Sequence, residues 1–177
     1  MATADLDHLA AEAQRGDRAA LAAFVRATEG HVWRFCAYLA GPAAADDLAQ
    51  DVYLRALRAL PGWRHDAPAR VWLLAIARRT VADHHRRRRR QRAAAVAVAA
   101  RPDGLPVTRD AAAEHALRGL IATLEPGRRD AFVLTQILGL RYDEAAAVCG
   151  CPVGTIRSRV ARARDDLIRA DAEAATA

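Results

Sequence analysis

Residues 143–164 read DEAAAVCGCPVGTIRSRVARAR, and their pattern decides the fold. The first part, 143–149, is mostly Ala on its inner side, and small side chains let two helices cross closely. Gly150 supplies a tight turn. Beyond the Gly-Cys-Pro break, Ile156, Val160, Ala163 and Leu167 recur at i, i+4, i+7 and i+11, a narrow apolar stripe. Ser158, Ala161 and Arg162 lie opposite it; Arg157 and Arg164 flank one side and Arg159 the other. A short helix, a glycine turn and a helix with one apolar stripe make a helix-turn-helix. Its second helix would lie in a DNA major groove with its first residues on base edges. Arg reads guanine O6 and N7 with two donors, and other Arg neutralise phosphates. The alternative is an Arg-rich solvated face.

The composition favours a polyanionic partner. The chain has 177 residues and a net charge of +6, and all 27 of its Lys-or-Arg cations are Arg. Such a balance points to nucleic acid or an anionic surface. The wealth of Ala and Arg also looks like coding bias, so the positions of the Arg residues carry more weight than their number. The length holds one mid-sized domain or two small ones. The start, MATADLDHLAAEAQRGD, is acidic and unlike a signal peptide. No apolar run reaches the roughly 20 residues of a membrane helix, so a cytoplasmic protein with no membrane span is expected. Cys36, Cys149 and Cys151 have no zinc-like spacing and read as small buried thiols. His31 near Cys36 lacks a second ligand pair, so no metal and no cofactor is expected.

Strand signals are nearly absent, and the reading is all-α. A first helix pair covers about 4–40, broken at Arg15-Gly16-Asp17, and GPA at 41–43 is a turn. A helix follows over about 44–60. The next starts near Arg70, with Pro68 in its first turn and Asp66 or Ala67 as its cap. It runs into HHRRRRRQR. Residues 93–112 carry two prolines, a Gly and no amphipathic face, and read as a flexible linker, helical at most at the Ala-rich start. Four short helices are expected beyond it, broken at Pro126-Gly127, Gly139 and GCP. The domains are therefore 1–92 and 113–177.

Two further stretches carry chemistry. In DDLAQDVYLRALRAL (46–60), Leu48, Val52, Tyr53, Ala56 and Leu60 form a buried face. Asp47, Gln50, Asp51, Leu54 and Arg58 fall opposite. Leu54 is apolar among polar neighbours, which suits a protein-binding surface or is simply one exposed Leu. Asp46, Asp47 and Asp51 read as first-turn acids that cap the helix and meet a partner. In ARVWLLAIARRTVADHHRRRRRQR (69–92), an apolar start gives way to basic residues. Trp63 reads as core; Trp72 suits core packing or stacking on unpaired bases equally. No glycine-rich phosphate loop, HExxH or G-x-S-x-G is present, so no enzyme and no small-molecule substrate is expected.

In this order these motifs resemble the sigma factors of bacterial RNA polymerase, specifically the small extracytoplasmic-function (ECF) group. ADDLAQDVYLRAL looks like region 2.2 of that group, RVWLLAIARRTVADHHRRRRR like regions 2.3 and 2.4, and YDEAAAVCGCPVGTIRSRVARARDDL like region 4.2. The wording of 134–167 is similar to the actinobacterial sigma C type. The resemblance implies an alternative sigma factor of two helical domains that binds core RNA polymerase and promoter DNA. It implies that Asp47, Gln50, Asp51 and Leu54 face the β′ clamp helices. It implies that Thr155, Arg157, Ser158, Arg159 and Arg162 serve the minus-thirty-five element, with the polymerase β flap nearby. Trp72, Arg78, Arg79, Asp83 and Arg86 would serve the minus-ten element. Many members carry Asn where this chain has Arg79. An anti-sigma factor is a further partner class the family uses.

Two rivals keep other classes in view. One is a stand-alone helix-turn-helix regulator, which would bind its operator tightly without polymerase. The other is a hydrolase using Asp46, Asp47 and Asp51, which requires the three carboxylates to converge.

Overall fold

The computed structural model describes residues 3–94 and 109–176, and every regular element in them is helical. The α-helices in order are α1 (Thr3–Gln14), α2 (Arg18–Ala40), α3 (Pro42–Ala59), α4 (Ala69–Ala94), α5 (Arg109–Thr123), α6 (Pro126–Phe132), α7 (Tyr142–Cys149) and α8 (Val153–Thr176). A 3-10 turn, Leu60–Gly62, follows α3, and a π-helical turn, Val133–Ile137, continues α6. Most of the expected linker lies outside the described residues; its two ends belong to α4 and α5.

Helices α1–α4 form a first unit. Asp17 caps α2 by accepting the N–H groups of Ala19 at 2.7 Å and Ala20 at 3.1 Å. Phe24, Thr28, Val32, Phe35 and Leu39 then recur every three or four residues and are buried. Gly41 alone joins α2 to α3, at φ 92° and ψ 153°, a region that only glycine occupies readily. Pro42 therefore opens α3, earlier than expected, because a proline at the first helical position loses no hydrogen bond. This corrects the reading of the acids: Asp46 and Asp47 sit in the second turn. Asp46 does not cap α3 but accepts the Trp33 indole N–H at 2.8 Å.

The start of α4 also differs from expectation. Neither Asp66 nor Ala67 caps it; Asp66 pairs with Arg64 at 2.9 Å. The cap comes from α1, where Asp7 accepts the Ala69 N–H at 2.6 Å. Gln14, at the end of α1, donates to the carbonyls of Leu60 and Trp63 at 3.0 and 2.8 Å. So α1 fixes the chain between α3 and α4. From there α4 buries Val71, Leu73, Leu74, Ala77 and Val81 against its neighbours.

Helices α5–α8 form a second unit around Ile121, Leu124, Leu134, Val148, Ile156 and Val160, all buried. Glu125 caps α6 through the N–H groups of Gly127 and Arg128, so Pro126 begins a helix beside the expected break. Arg128 and Asp166 pair at 2.5 Å and tie α6 to α8. The last helix is not short: α8 has 24 residues.

The two units, separable by sequence, pack on each other through α4 and α7. Ala145 and Ala146 on α7 are buried, and their small side chains allow the close approach. Arg78 on α4 donates from Nε to Asp130 at 2.7 Å and from Nη1 to the Cys149 carbonyl at 3.4 Å. Its side chain is 34% exposed and that of Asp130 17%. Burial disfavours the Arg78 charge, and Asp130 more than offsets this, so its pKa is raised. Arg70 donates to the Leu138 carbonyl.

Asp130→Ala should uncouple the units. It leaves a largely buried guanidinium without its anion, a loss on the order of 1–3 kcal/mol. Thermal unfolding followed by circular dichroism should start at lower temperature and broaden or split, and small-angle scattering should report a larger radius. An unchanged melting curve and radius would show that the ion pair holds nothing together.

Candidate nucleic-acid and polymerase interfaces

The turn between α7 and α8 is a Schellman closure. Gly150 adopts φ 64° and ψ 43°. Its N–H meets the Ala147 carbonyl at 3.4 Å, and the Cys151 N–H meets that of Ala146 at 3.1 Å. Glu144 accepts the Arg141 N–H at 2.8 Å and closes the other end of α7. Helix α8 then buries Ile156, Val160 and Ala163, while Leu167 is half-buried. Opposite this stripe Arg157, Ser158 and Arg162 are exposed, and Thr155 is half-buried beside them. Neither Arg157 nor Arg162 has an ion-pair partner among the described residues. Two basic donors are thus free on the outward side of a helix-turn-helix.

Arg159 stands apart from that pair. It is half-buried, and its Nη1 lies 3.8 Å from Cys151 Sγ. Its guanidinium packs over Gly127, where an added Cβ would come within 3.2 Å of Arg159 Cζ. Arg164 donates to Gln136 Oε1 at 2.8 Å, which ties α8 to the π-helical turn.

On α4 the minus-ten candidates divide between two faces. Trp72, Arg79, Asp83 and Arg86 follow spacings of 7, 4 and 3 and share one face. Arg78 lies about 100° round the helix from Arg79, on the side turned to the second unit. Arg79 and Arg86 are exposed. Trp63 is core, 7% exposed, and its ring centroid lies 5.8 Å from that of half-buried Trp72. Trp72 thus packs on the core and keeps one side open.

Asp83 links this face to α3. It accepts from Arg55 Nη1 at 2.7 Å and pairs with Arg86. The Arg55 hydrogen bond holds the Asp83 carboxyl below its ordinary pKa. Arg55 also pairs with Asp51 at 3.1 Å. This Asp51–Arg55–Asp83 chain was half-legible: an Asp–Arg pair at i, i+4 is a sequence signal, whereas the 28-residue step to Asp83 is not.

On α3, Asp47, Gln50 and Leu54 are exposed along one face, and Asp51 is half-buried beside them. Leu54 is 50% exposed, and Leu57, one turn on, is 42% exposed. Leu57 was not singled out, although its spacing from Leu54 puts it on the same face. Two neighbouring leucines with a polar rim make a stronger protein-docking surface than one. The three acids do not converge as hydrolysis requires, since Asp46 engages Trp33 and Asp51 engages Arg55. Among the described residues no group of three His, Cys, Asp or Glu could hold a metal ion. Burial pushes the thiols of Cys36 and Cys149 up to about 12 and about 11, which makes them poor nucleophiles. No described helix is long and apolar enough to cross a membrane.

Comparison with known proteins matches both units. The Sigma-70 region 2 model covers residues 24–91 and the Sigma-70, region 4 model residues 114–167. The chain is 49% identical to the ECF RNA polymerase sigma factor SigC of Mycobacterium tuberculosis, over 93% of this chain and 90% of that protein. The probable RNA polymerase sigma-C factor of Mycobacterium bovis matches equally. Among solved structures, CnrH in complex with the cytosolic domain of CnrY aligns with a TM-score of 0.71 and 30% identity, over 93% of this chain and 96% of that one. RpoE in complex with the anti-sigma factor NepR from Bartonella quintana aligns with a TM-score of 0.66 and 27% identity, over 81% and 91%. This family is not one of enzymes. With a region 2 unit, a region 4 helix-turn-helix and these relatives, the chain belongs to the ECF sigma factors and is an alternative sigma factor that directs transcription initiation.

Proposed function

We propose that this sigma factor engages core polymerase and promoter DNA through three separate faces. The observation that carries the reading is that each set is presented by its own helix: the α3 acids and leucines, the outer face of α4, which Arg55 bridges to α3, and the outward side of α8. Asp47, Gln50, Asp51 and Leu54 meet the β′ clamp helices, joined by Leu57. Trp72, Arg79, Asp83 and Arg86 serve the minus-ten element. Thr155, Arg157, Ser158 and Arg162 read the minus-thirty-five element, with Arg159 at its edge and the β flap beyond. The domains are 1–92 and 113–177, with a linker between them. Arg78 joins the minus-ten set only when Asp130 releases it. The protein works in the cytoplasm. An anti-sigma factor is a natural partner class, since the CnrH and RpoE structures hold CnrY and NepR.

Asp47→Ala with Gln50→Ala should weaken binding to core polymerase by about 1 kcal/mol or more, roughly fivefold. Both residues are exposed, so stability should change by about 0.5 kcal/mol or less. Titration of labelled protein with core enzyme, beside a melting curve, checks both. Normal core binding by the folded variant would move the docking surface elsewhere.

For α8, Arg157→Ala and Arg162→Ala should each cost about 1–3 kcal/mol at one base pair and relax preference there. The measurement is run-off transcription over a library randomised in the upstream element. Ile156→Asp should fail differently, by placing a charge in the core of the second unit. A profile unchanged in both folded Arg variants would mean that α8 is not the reader, and tight sequence-specific binding without polymerase would favour the stand-alone regulator.

A further inference from the structure

Where the two units meet, α4 and α6, with Leu39 of α2, line an open-sided cavity of about 530 Å³. Arg78, Arg86, Arg88, Arg89 and Arg92 line it from α4, and Arg129 lines it from α6. Asp130 is the one carboxylate among its lining residues. That carboxylate is already committed to Arg78, and Arg86 pairs outside the cavity with Asp83. Arg88, Arg89, Arg92 and Arg129 have no ion-pair partner among the described residues.

Arg129 is the most informative of these. It donates from Nη2 to the carbonyls of Ala122 and Leu124, the latter at 2.9 Å. Its Nε is buried and has no hydrogen-bond partner. Burial lowers its pKa despite the nearby acids. A guanidinium keeps its proton in proteins, so this site carries positive charge that the Ala122 and Leu124 carbonyls and the nearby Asp130 and Glu125 offset only in part. Converging cations repel unless an anion joins them. A phosphate chain answers that need, because its oxygens match the guanidinium fork. The volume lies within the range of small-molecule pockets. Leu39, Val81 and Ala82 supply an apolar floor; no Phe, Tyr or Trp lines the cavity, and its one aromatic ring, His85, is engaged through Nε2 with the Leu39 carbonyl at 3.0 Å. Recognition therefore falls on the phosphates.

We propose that this interdomain cavity binds a small oligophosphate, held between the α4 arginines and Arg129. The source is either an inorganic chain or the phosphate tail of a nucleotide. Arg78 and Arg86 also belong to the minus-ten set; that the anion competes with promoter DNA rests on the promoter reading, whereas binding itself does not.

Calorimetric titration of the full-length chain with sodium tripolyphosphate, and in a second arm with ATP, tests this at fixed salt. One anion should bind per chain and raise the melting temperature. Equal affinity for the two assigns the site to the phosphate chain alone; tighter ATP assigns it to a nucleotide. Arg89→Gln with Arg92→Gln, and separately Arg129→Gln, should each weaken binding about tenfold or more. Arg129→Lys, which keeps the charge, should recover part of it, and Arg18→Gln with Arg26→Gln, on the first half of α2 and away from Leu39, should change nothing. Ala82→Leu keeps every charge and fills the floor, so it should abolish binding even if Arg129→Gln fails to fold. Absence of binding overturns the proposal. So does binding that survives Ala82→Leu, or that folded Arg129→Gln leaves intact, because the anion would then sit on the open face of α4 as a DNA backbone would.

Discussion

Burial at a helix–helix contact disfavours a guanidinium's charge, and for Arg78 that cost is offset by Asp130 at 2.7 Å. That pairing ties the second unit to the first. Asp130 stands on α6, which hands the chain through the π-helical turn to α7, and α7 lies along α4. The Arg70 bond to Leu138 and the second Arg78 bond to Cys149 fix both ends of the same stretch. With α7 held, Gly150 sets the direction in which α8 leaves. The ion pair thus helps to hold α7, one of the helices on which the recognition helix packs, although neither partner lies on that helix.

Charge is distributed along α4 in a way that one helix rarely has to accommodate. Its first half buries Val71, Leu73, Leu74 and Ala77, and its second half carries Arg86–Arg90 into solvent. Asp51 and Asp83, bridged by Arg55, offset part of that charge on one side. Asp130 offsets part of it on the other. The cavity side beyond Asp130 is left without acids, which is why unbalanced charge collects there rather than along the whole helix.

The legible part of the fold was the part written in local spacing. The apolar stripe of α8, the glycine turn and the buried face of α3 are all patterns within a dozen residues, and each stands where periodicity puts it. Leu54 was legible as an anomaly, because an apolar residue on a polar face breaks the pattern. What escaped depends on pairs distant in sequence. Asp7 caps α4 across 62 residues and Asp130 meets Arg78 across 52; no window contains both partners. The start of α3 was misplaced for a different reason: Gly-Pro reads as a turn, yet here Gly41 alone turns the chain and Pro42 already belongs to the helix. Arg159 looked like one more outward cation, and only the missing Cβ of Gly127 shows why it lies against α6.

On the proposed reading, Arg78 has two anions to choose between, Asp130 in the packed arrangement and promoter DNA in an open one. The exchange replaces one charge-assisted bond by another, so the balance falls on the apolar contact between α4 and α7. A partner shifts that balance only by its differential affinity for the two arrangements. Asp47, Gln50 and Leu54 are already exposed with α7 docked, so a partner can bind them without displacing it. Docking through α3 alone therefore leaves the equilibrium where it was, however tight it is. A partner that opens the protein has to grip the second unit as well, at a distance from the first that the packed form does not allow. Two-point attachment is thus a requirement of this structure: without a hold on α5–α8, the partner has nothing to weigh against Asp130.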